Sequence, residues 1–488
     1  MSTTDPASRP FTSFTGARSP RYPAPDVARG FMLLLIAVAN VPFWLMLWTD
    51  IAEPTAVGTA WEWVRGALVN QRSYPLFALL FGFGLMVMAR RRIEHDTDSV
   101  LEANRAFHDC LPEAHREAFV AAVREAATVD ARRMVRRRGW WMILFGAVHS
   151  LFFFGDIIGA YGLIAVVFAG TFVHRRKVTM WVVSVLVVLL SSLMLGSSSW
   201  LLSTGPSGVM GTAASAGAVG DATGPGAFGA GLSDLMTSPW YPLIGLGLWL
   251  INTPMTLLMS MALPASFLGA WIAGTDLLTH PERRRGALIG GGLAGLAVAA
   301  LTWAPFNALV DGAQMPVWAA VLTGPGTTIV GGLAGACGWL ALLAAFAGGA
   351  RADGEPLTGV RWLLAAVGKR SMTAYLSQTV CFGLLYGGLA VAGAEVPGTA
   401  PMALSAVLVW ALVAGLCAWL ERAGRRGPFE RLLRAAVARS AGHTRLSELA
   451  VPPAGAATGA PTEASAGASA EAPGSPGGPA EGPRPQPV

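Results

Sequence analysis

The sequence predicts an all-α protein, a polytopic transmembrane bundle of about ten helices, each needing roughly 20 apolar residues to cross a ~30 Å hydrocarbon layer. Three observations predict it. The apolar residues come in long uncharged runs rather than in periodic stripes. Only 13% of the 488 residues are charged and 53% are hydrophobic, where a soluble domain carries about 25% charged residues. Arg and Lys collect in alternate gaps between the runs, as the positive-inside bias requires.

The candidate spans cover 30–48, 73–89, 139–155, 157–173, 178–199, 240–273, 286–304, 317–349, 371–391 and 401–420. The run 240–273 is longer than one crossing needs and holds Pro242, Pro254 and Pro264, so it reads as one kinked helix or as a helix plus a re-entrant piece. With the amino terminus in the cytoplasm, the inner segments hold Arg29, Arg90–Arg92, Arg136–Arg138, His174 to Lys177, Arg283–Arg285, Lys369, Arg370 and the arginines after Arg422. The outer loops hold only Arg65 and Arg72, and the stretch 200–239 has no Lys or Arg. Both termini are therefore expected in the cytoplasm. Trp48, Trp140, Trp141, Trp181, Trp240, Trp362 and Trp419 sit near run ends, as an interfacial belt would place them.

The expected organisation is a polar cytoplasmic segment 1–28, a membrane region 29–202 with a cytoplasmic helical insert 91–138, an outer Gly/Ala/Ser-rich loop 203–239, a second membrane domain 240–436 and a disordered cytoplasmic tail 437–488. The tail is rich in Pro, Gly, Ala and Ser and lacks the apolar side chains that would offset ordering entropy. The insert carries mixed charge and Ala, which suits a solvated helical hairpin. No signal-peptide pattern precedes the first run, which is expected to be a retained anchor. No internal repeat of the kind seen in many transporters is evident.

The net charge of +6 could signal nucleic acid, but arginines that flank apolar runs fit lipid headgroups instead. The expected surroundings are the bilayer, a small-molecule substrate or cargo, and possible self-association into a homo-oligomer. Cys110, Cys337, Cys381 and Cys417 form no CxxC pair, so neither a disulfide framework nor a zinc site is expected. No P-loop, HExxH or GxSxG occurs, and no metal or resident cofactor is expected.

Polar side chains inside the spans are the functional candidates, because an unpaired polar group in lipid is costly. Asn40, His149 and Gln378 lie roughly 16, 15 and 12 Å from the cytoplasmic ends of their helices at about 1.5 Å per residue, all near one level. His149 has the side chain suited to proton transfer near neutral pH. Asp156, at the outer end of a tight hairpin, can cap the next helix, orient His149 or bind a cation. Ser371, Tyr375 and Gln378 share one helix face at i, i+4 and i+7. Interhelical hydrogen bonding is the plain alternative for Asn40, His149 and Gln378, helix capping for Asp156 and packing for the Ser371 stripe. Gly82 and Gly84 read as helix-contact positions rather than a phosphate loop.

At these residues the chain resembles the YeiB-like family of uncharacterised bacterial multi-pass membrane proteins. The resemblance rests on Arg21-Tyr22 through Arg29-Gly30 with Asn40, on Arg72 through Gly84, and on Gly146-Ala147-Val148-His149 with Gly155-Asp156-Ile157 and Tyr161-Gly162. It continues in Gly368 through Gln378 and in Arg426-Gly427-Pro428-Phe429-Glu430 with Arg434. It implies a bacterial inner-membrane location and assigns 240–436 to that family's C-terminal domain. It also implies kinship with integral-membrane acyltransferases such as the heparan-glucosaminide N-acetyltransferase type, which share the Arg-Gly entry and the Asn. That type carries a His shortly after the Asn. This chain has Leu47-Trp48-Thr49-Asp50-Ile51-Ala52-Glu53 there, so the role would fall to His149.

Three functions follow as expectations. As an acyltransferase, the chain would take an acyl-CoA-type donor from the Arg-rich face, with Arg29 and Arg72 among the substrate-binding candidates. His149, Asp156 and Asn40 would be catalytic, and Gln378, Tyr375 and Ser371 would contact substrate. As a proton-coupled transporter or exporter, Asn40, His149 and Gln378 would line a path. As a scaffold or sensor, the insert and tail would bind partners.

Overall fold

The computed structural model describes residues 22–48, 55–204, 238–349 and 357–449. The expectations for 1–21, for the 205–237 loop and for the tail beyond 449 lie outside the described residues. No strand occurs among the described residues. Among the described residues eight helices are long and apolar enough to cross a membrane, which makes the chain a multi-pass membrane protein.

The first of these, α1 (Pro23–Trp44), is the axis of the bundle. Pro near its start fits a first turn whose N–H groups have no helical partner. Its most apolar window is 78% buried, against 22% for α7 (Lys177–Thr204) and 11% for the run that contains α10 (Arg285–Val310). It touches α3 (Ser73–Ala103), α12 (Gly332–Ala347), α13 (Gly359–Gly368), α14 (Ser371–Val391) and α15 (Thr399–Arg422). By contrast, α7 and α10 turn Leu189, Leu193, Leu293 and Leu301 outward, where lipid chains lie.

Apolar faces gain little by meeting each other in lipid, so close contacts rely on small residues. A Cβ at Gly82 of α3 would overlap the Ser266 carbonyl, and one at Gly269 would overlap that of Leu79. The backbones of α3 and α9 (Ala262–Ile272) therefore touch.

The insert is built largely from the ends of two long helices. With no breaker after Arg90, α3 continues out of the membrane run to Ala103, and the 38-residue α5 (Glu113–Ser150) runs from the insert into the membrane. Between them lies the short α4 (Arg105–Cys110). An i,i+4 pair, Arg92 to Asp96 at 2.6 Å, supports the extended part of α3. After a tight hairpin, α6 (Ile158–Val173) returns along α5.

The long run 240–273 is a helix plus a half-length piece. Its first part, α8 (Tyr241–Met259), ends at Ser260, and Met261 turns the chain through the left-handed region (φ 56°) into α9. The start of α8 sits on the hairpin, where the Tyr241 hydroxyl donates to the Phe152 carbonyl (3.1 Å). Its end meets α7, where Ser191 donates to the Leu258 carbonyl.

Tertiary contacts gather the basic segments at one end of the bundle. The Tyr22 ring meets His280, and the Arg29 guanidinium reaches the Leu80 carbonyl. Lys369 and Arg370 both pair with Glu421, at 2.5 and 2.6 Å. Arg138 lies half-buried there; burial, then Arg434 and Arg29, push its guanidinium down to about 10, with Glu430 opposing. Arg65 and Arg72 belong to the other end, beside α2 (Ala56–Leu68).

Beneath the basic end lies α16 (Pro428–Arg439), which packs on α5 and α14. Its Glu430 carboxylate accepts from the Met372 and Thr373 amides (2.8 and 3.0 Å) and from the Thr373 hydroxyl (2.5 Å). That places a negative charge on the amino terminus of α14, the favourable end of the helix dipole. The last described helix, α17 (Arg445–Leu449), docks on α5, with Asp130 accepting from the Arg445 and Leu446 amides.

Candidate functional site

His149 is the last but one residue of α5, and Asp156 precedes α6 across the hairpin. The Asp156 carboxylate has two tasks. Its Oδ2 accepts from the Gly159 amide at 2.8 Å, capping α6. Its Oδ1 lies 2.7 Å from His149 Nδ1. A Cβ at Gly146 would sit 2.5 Å from the carboxylate, so the glycine makes the space. Asp156 is 4% exposed and His149 6%.

An ionised carboxylate only accepts, so it places the imidazole proton on Nδ1. The Nε2 lone pair is then free to accept, and Thr379 Oγ1 lies 2.9 Å away on α14. Helical threonines commonly return their hydroxyl to a carbonyl one turn back. Here the hydroxyl meets an imidazole on another helix. Carboxylate, imidazole and hydroxyl thus form one line, the arrangement that activates a hydroxyl nucleophile.

Aromatic rings hold the imidazole. Tyr375, one turn before Thr379, meets it edge-on at 5.2 Å, and Phe153 lies at 5.7 Å. The buried Tyr375 hydroxyl faces the Ile157 backbone at the start of α6.

His149 and Thr379 open on a groove of about 2060 Å³. On one side stands α5, on the other α14 and α15, with α16 as the floor and Tyr241 at the far end. Its walls are apolar, with Leu144, Val148, Leu384, Leu412 and Trp419 exposed along them. Arg439 and Ser440 line its basic end.

The structure brings His149, Asp156 and Tyr375 together and adds Thr379. Gln378 turns the other way and donates to the Leu33 carbonyl of α1 at 3.1 Å. Asn40 accepts from the Tyr74 hydroxyl at 3.4 Å, and Tyr161 donates to the Tyr74 carbonyl at 3.0 Å. Asn40 and Gln378 thus have interhelical partners and are not among the groove's lining residues.

Ser371 opens α14 at the basic end, two turns from Thr379. Arg29 pairs with Asp26 at 3.1 Å. Arg72 is fully buried, and donates to the carbonyls of Asn70 (2.6 Å) and Ala299 (2.7 Å) and to Thr327 (3.4 Å). Thr327 belongs to a π-helical turn, Gly326–Gly331. Ser371, Arg29 and Arg72 are not among the groove's lining residues, and Arg29 and Arg72 reach across to other helices instead.

Sequence reasoning missed Thr379. The available signal was the helical stripe itself, because Thr379 follows Tyr375 by one turn on the same side of α14. Among the described residues no His, Cys, Asp and Glu cluster could hold a metal ion.

Residues 272–440 match a family model described as "Protein of unknown function (DUF418)". No curated protein and no solved structure matches. The matched stretch is less than half of the chain. It contains Thr379, Tyr375 and the α14, α15 and α16 walls of the groove, whereas His149 and Asp156 precede it. The C-terminal part of this membrane protein is therefore similar to an uncharacterised family.

Proposed function

We propose that the chain is a membrane-embedded acyltransferase in which Thr379 carries the acyl group. The observation that supports this is the Asp156–His149–Thr379 line, with contacts of 2.7 and 2.9 Å, opening on an apolar groove. The Thr379 oxygen attacks the carbonyl of an activated ester or thioester, and His149 Nε2 takes the hydroxyl proton. The bond to the leaving group breaks, and His149 returns the proton to it. An acceptor hydroxyl or amine then attacks acyl-Thr379, gives its proton to His149 and leaves as the acylated product, and the proton restores the Thr379 hydroxyl. Asp156 keeps Nδ1 protonated and steadies the imidazolium.

The basic end is proposed to face the cytoplasm of a bacterial inner membrane, so that an anionic, acyl-CoA-type donor enters from that side. A buried His–Asp pair also suits proton-coupled transport, and one experiment separates the two. Purified protein in liposomes is given labelled acyl donor and acceptor. Transfer is expected in the wild type and should fall on the order of 10⁴-fold in His149→Ala and in Thr379→Val. Movement of label across the membrane with no covalent product, and equal behaviour of Thr379→Val, would rule the acyltransferase reading out.

A further inference from the structure

We infer that the groove measures the acyl chain, and that Gly383 sets the length it accepts. The chemistry rests on the acyltransferase reading, whereas the chain site rests on the groove itself. On α14 the helix runs from the basic end through Thr379 and then Gly383, one turn further on the same side. Gly383 lines the groove, and a Cβ there would meet only the Trp44 ring, at 3.5 Å. The backbone therefore tolerates a side chain at this position, and a large one would project into the groove beyond the hydroxyl.

The two directions away from Thr379 differ in chemistry. Beyond it, toward Gly383, the walls are Trp44, Val148, Phe152, Val380 and Leu384, with no charge. Back toward the basic end, Arg439 and Ser440 line the groove, and the Trp141 indole donates to the Ser440 hydroxyl at 3.1 Å. An acyl donor with its carbonyl at Thr379 would lay its tail along the uncharged part and its anionic leaving part toward Arg439. The volume is about twice the upper end of sites for drug-sized ligands, roughly 1,000 Å³. An acetyl group would leave most of it to lipid. The occupant is thus a long-chain fatty acyl donor with an anionic leaving part. Ordinary boundary lipid, which would label every exposed helix alike, is an outcome of the test.

The test uses the full chain in phosphatidylcholine nanodiscs with diazirine-bearing palmitoyl and butyryl coenzyme A, and reads the labelled peptides by mass spectrometry. The expected result is palmitoyl labelling of the α14 peptide well above that of lipid-facing α7. Gly383 lies about 6 Å along the helix from Thr379, so Gly383→Phe should cut palmitoyl labelling at least tenfold and spare butyryl labelling, whose chain ends short of that position. Gly383→Ala, which needs no rearrangement, should give an intermediate shift and keeps the test open if Gly383→Phe does not fold. Gly388→Phe, at an exposed position with open space around it, should change nothing. Equal labelling of α14 and α7, or palmitoyl labelling indifferent to both Gly383 variants, would overturn the inference. The same labelling in Thr379→Val separates the two claims. Length-selective labelling with no covalent acylation of the wild type would sink the acyltransferase reading and leave the chain site standing.

Discussion

At the scale of single residues, Asp156 carries two separable tasks. Asparagine at this position can still accept from the Gly159 amide, but its carboxamide can also donate to Nδ1, which removes the bias for the Nδ1–H tautomer. Asp156→Asn should therefore keep the thermal midpoint close to wild type while acyl transfer falls on the order of 10³–10⁴-fold. A variant that loses fold and activity together would show the carboxylate to be only a cap. Arg72 makes the opposite prediction. Its guanidinium is buried and its fork joins the α2–α3 corner to α10 and to the π-helical turn. Arg72→Gln should destabilise the protein by on the order of 3 kcal/mol, because hydrogen bonds to a charged group are lost and buried carbonyls are left without partners. The groove chemistry should survive below the new midpoint, which thermal unfolding and transfer assays read separately.

At the scale of elements, helix ends and helix crossings bear the fold. Glu430 satisfies the first amides of α14 from another helix, so Glu430→Ala should cost about 1–2 kcal/mol, the range for losing an N-cap. Gly82→Leu would push α3 off α9 and should abolish a monodisperse folded peak in detergent. The long helices were legible in the sequence because twenty apolar residues have no other stable arrangement in lipid. The two polar groups of the hairpin, His149 within the run and Asp156 at its outer end, were legible because polar atoms stand out in such runs. Thr379 was not. A threonine in an apolar helix can satisfy its hydroxyl within its own helix, so nothing local marks it. What marks it is that α5 and α14 face each other, a fact of packing. The same packing separates Gln378 from Thr379, since adjacent helical positions point about 100° apart and so address α1 and α5 respectively. The short amphipathic helices α2, α13 and α16 escaped as well, being too short to read as spans.

At the scale of the whole molecule, the chain alternates between two ends, and Arg and Lys concentrate at one of them. That alternation was readable from charge alone, and the contacts of Tyr22, Arg29, Lys369 and Arg370 place those segments at a common end. The proposed orientation has a simple test in the native sequence. Cys110 is exposed, whereas Cys417 is buried and Cys337 and Cys381 are half-buried. A membrane-impermeant maleimide should label Cys110 only after the cells are permeabilised, and labelling in intact cells would reverse the orientation. Under the proposed function the basic face meets the donor, and the groove leads its acyl chain past the Thr379 hydroxyl beside His149. The most direct measurement is the intact mass and peptide map of the protein quenched after brief exposure to a palmitoyl thioester without acceptor. One palmitoyl ester on Thr379 is expected, absent in His149→Ala and lost when acceptor is added. An unmodified Thr379 in a protein that still transfers the acyl group would overturn the covalent mechanism.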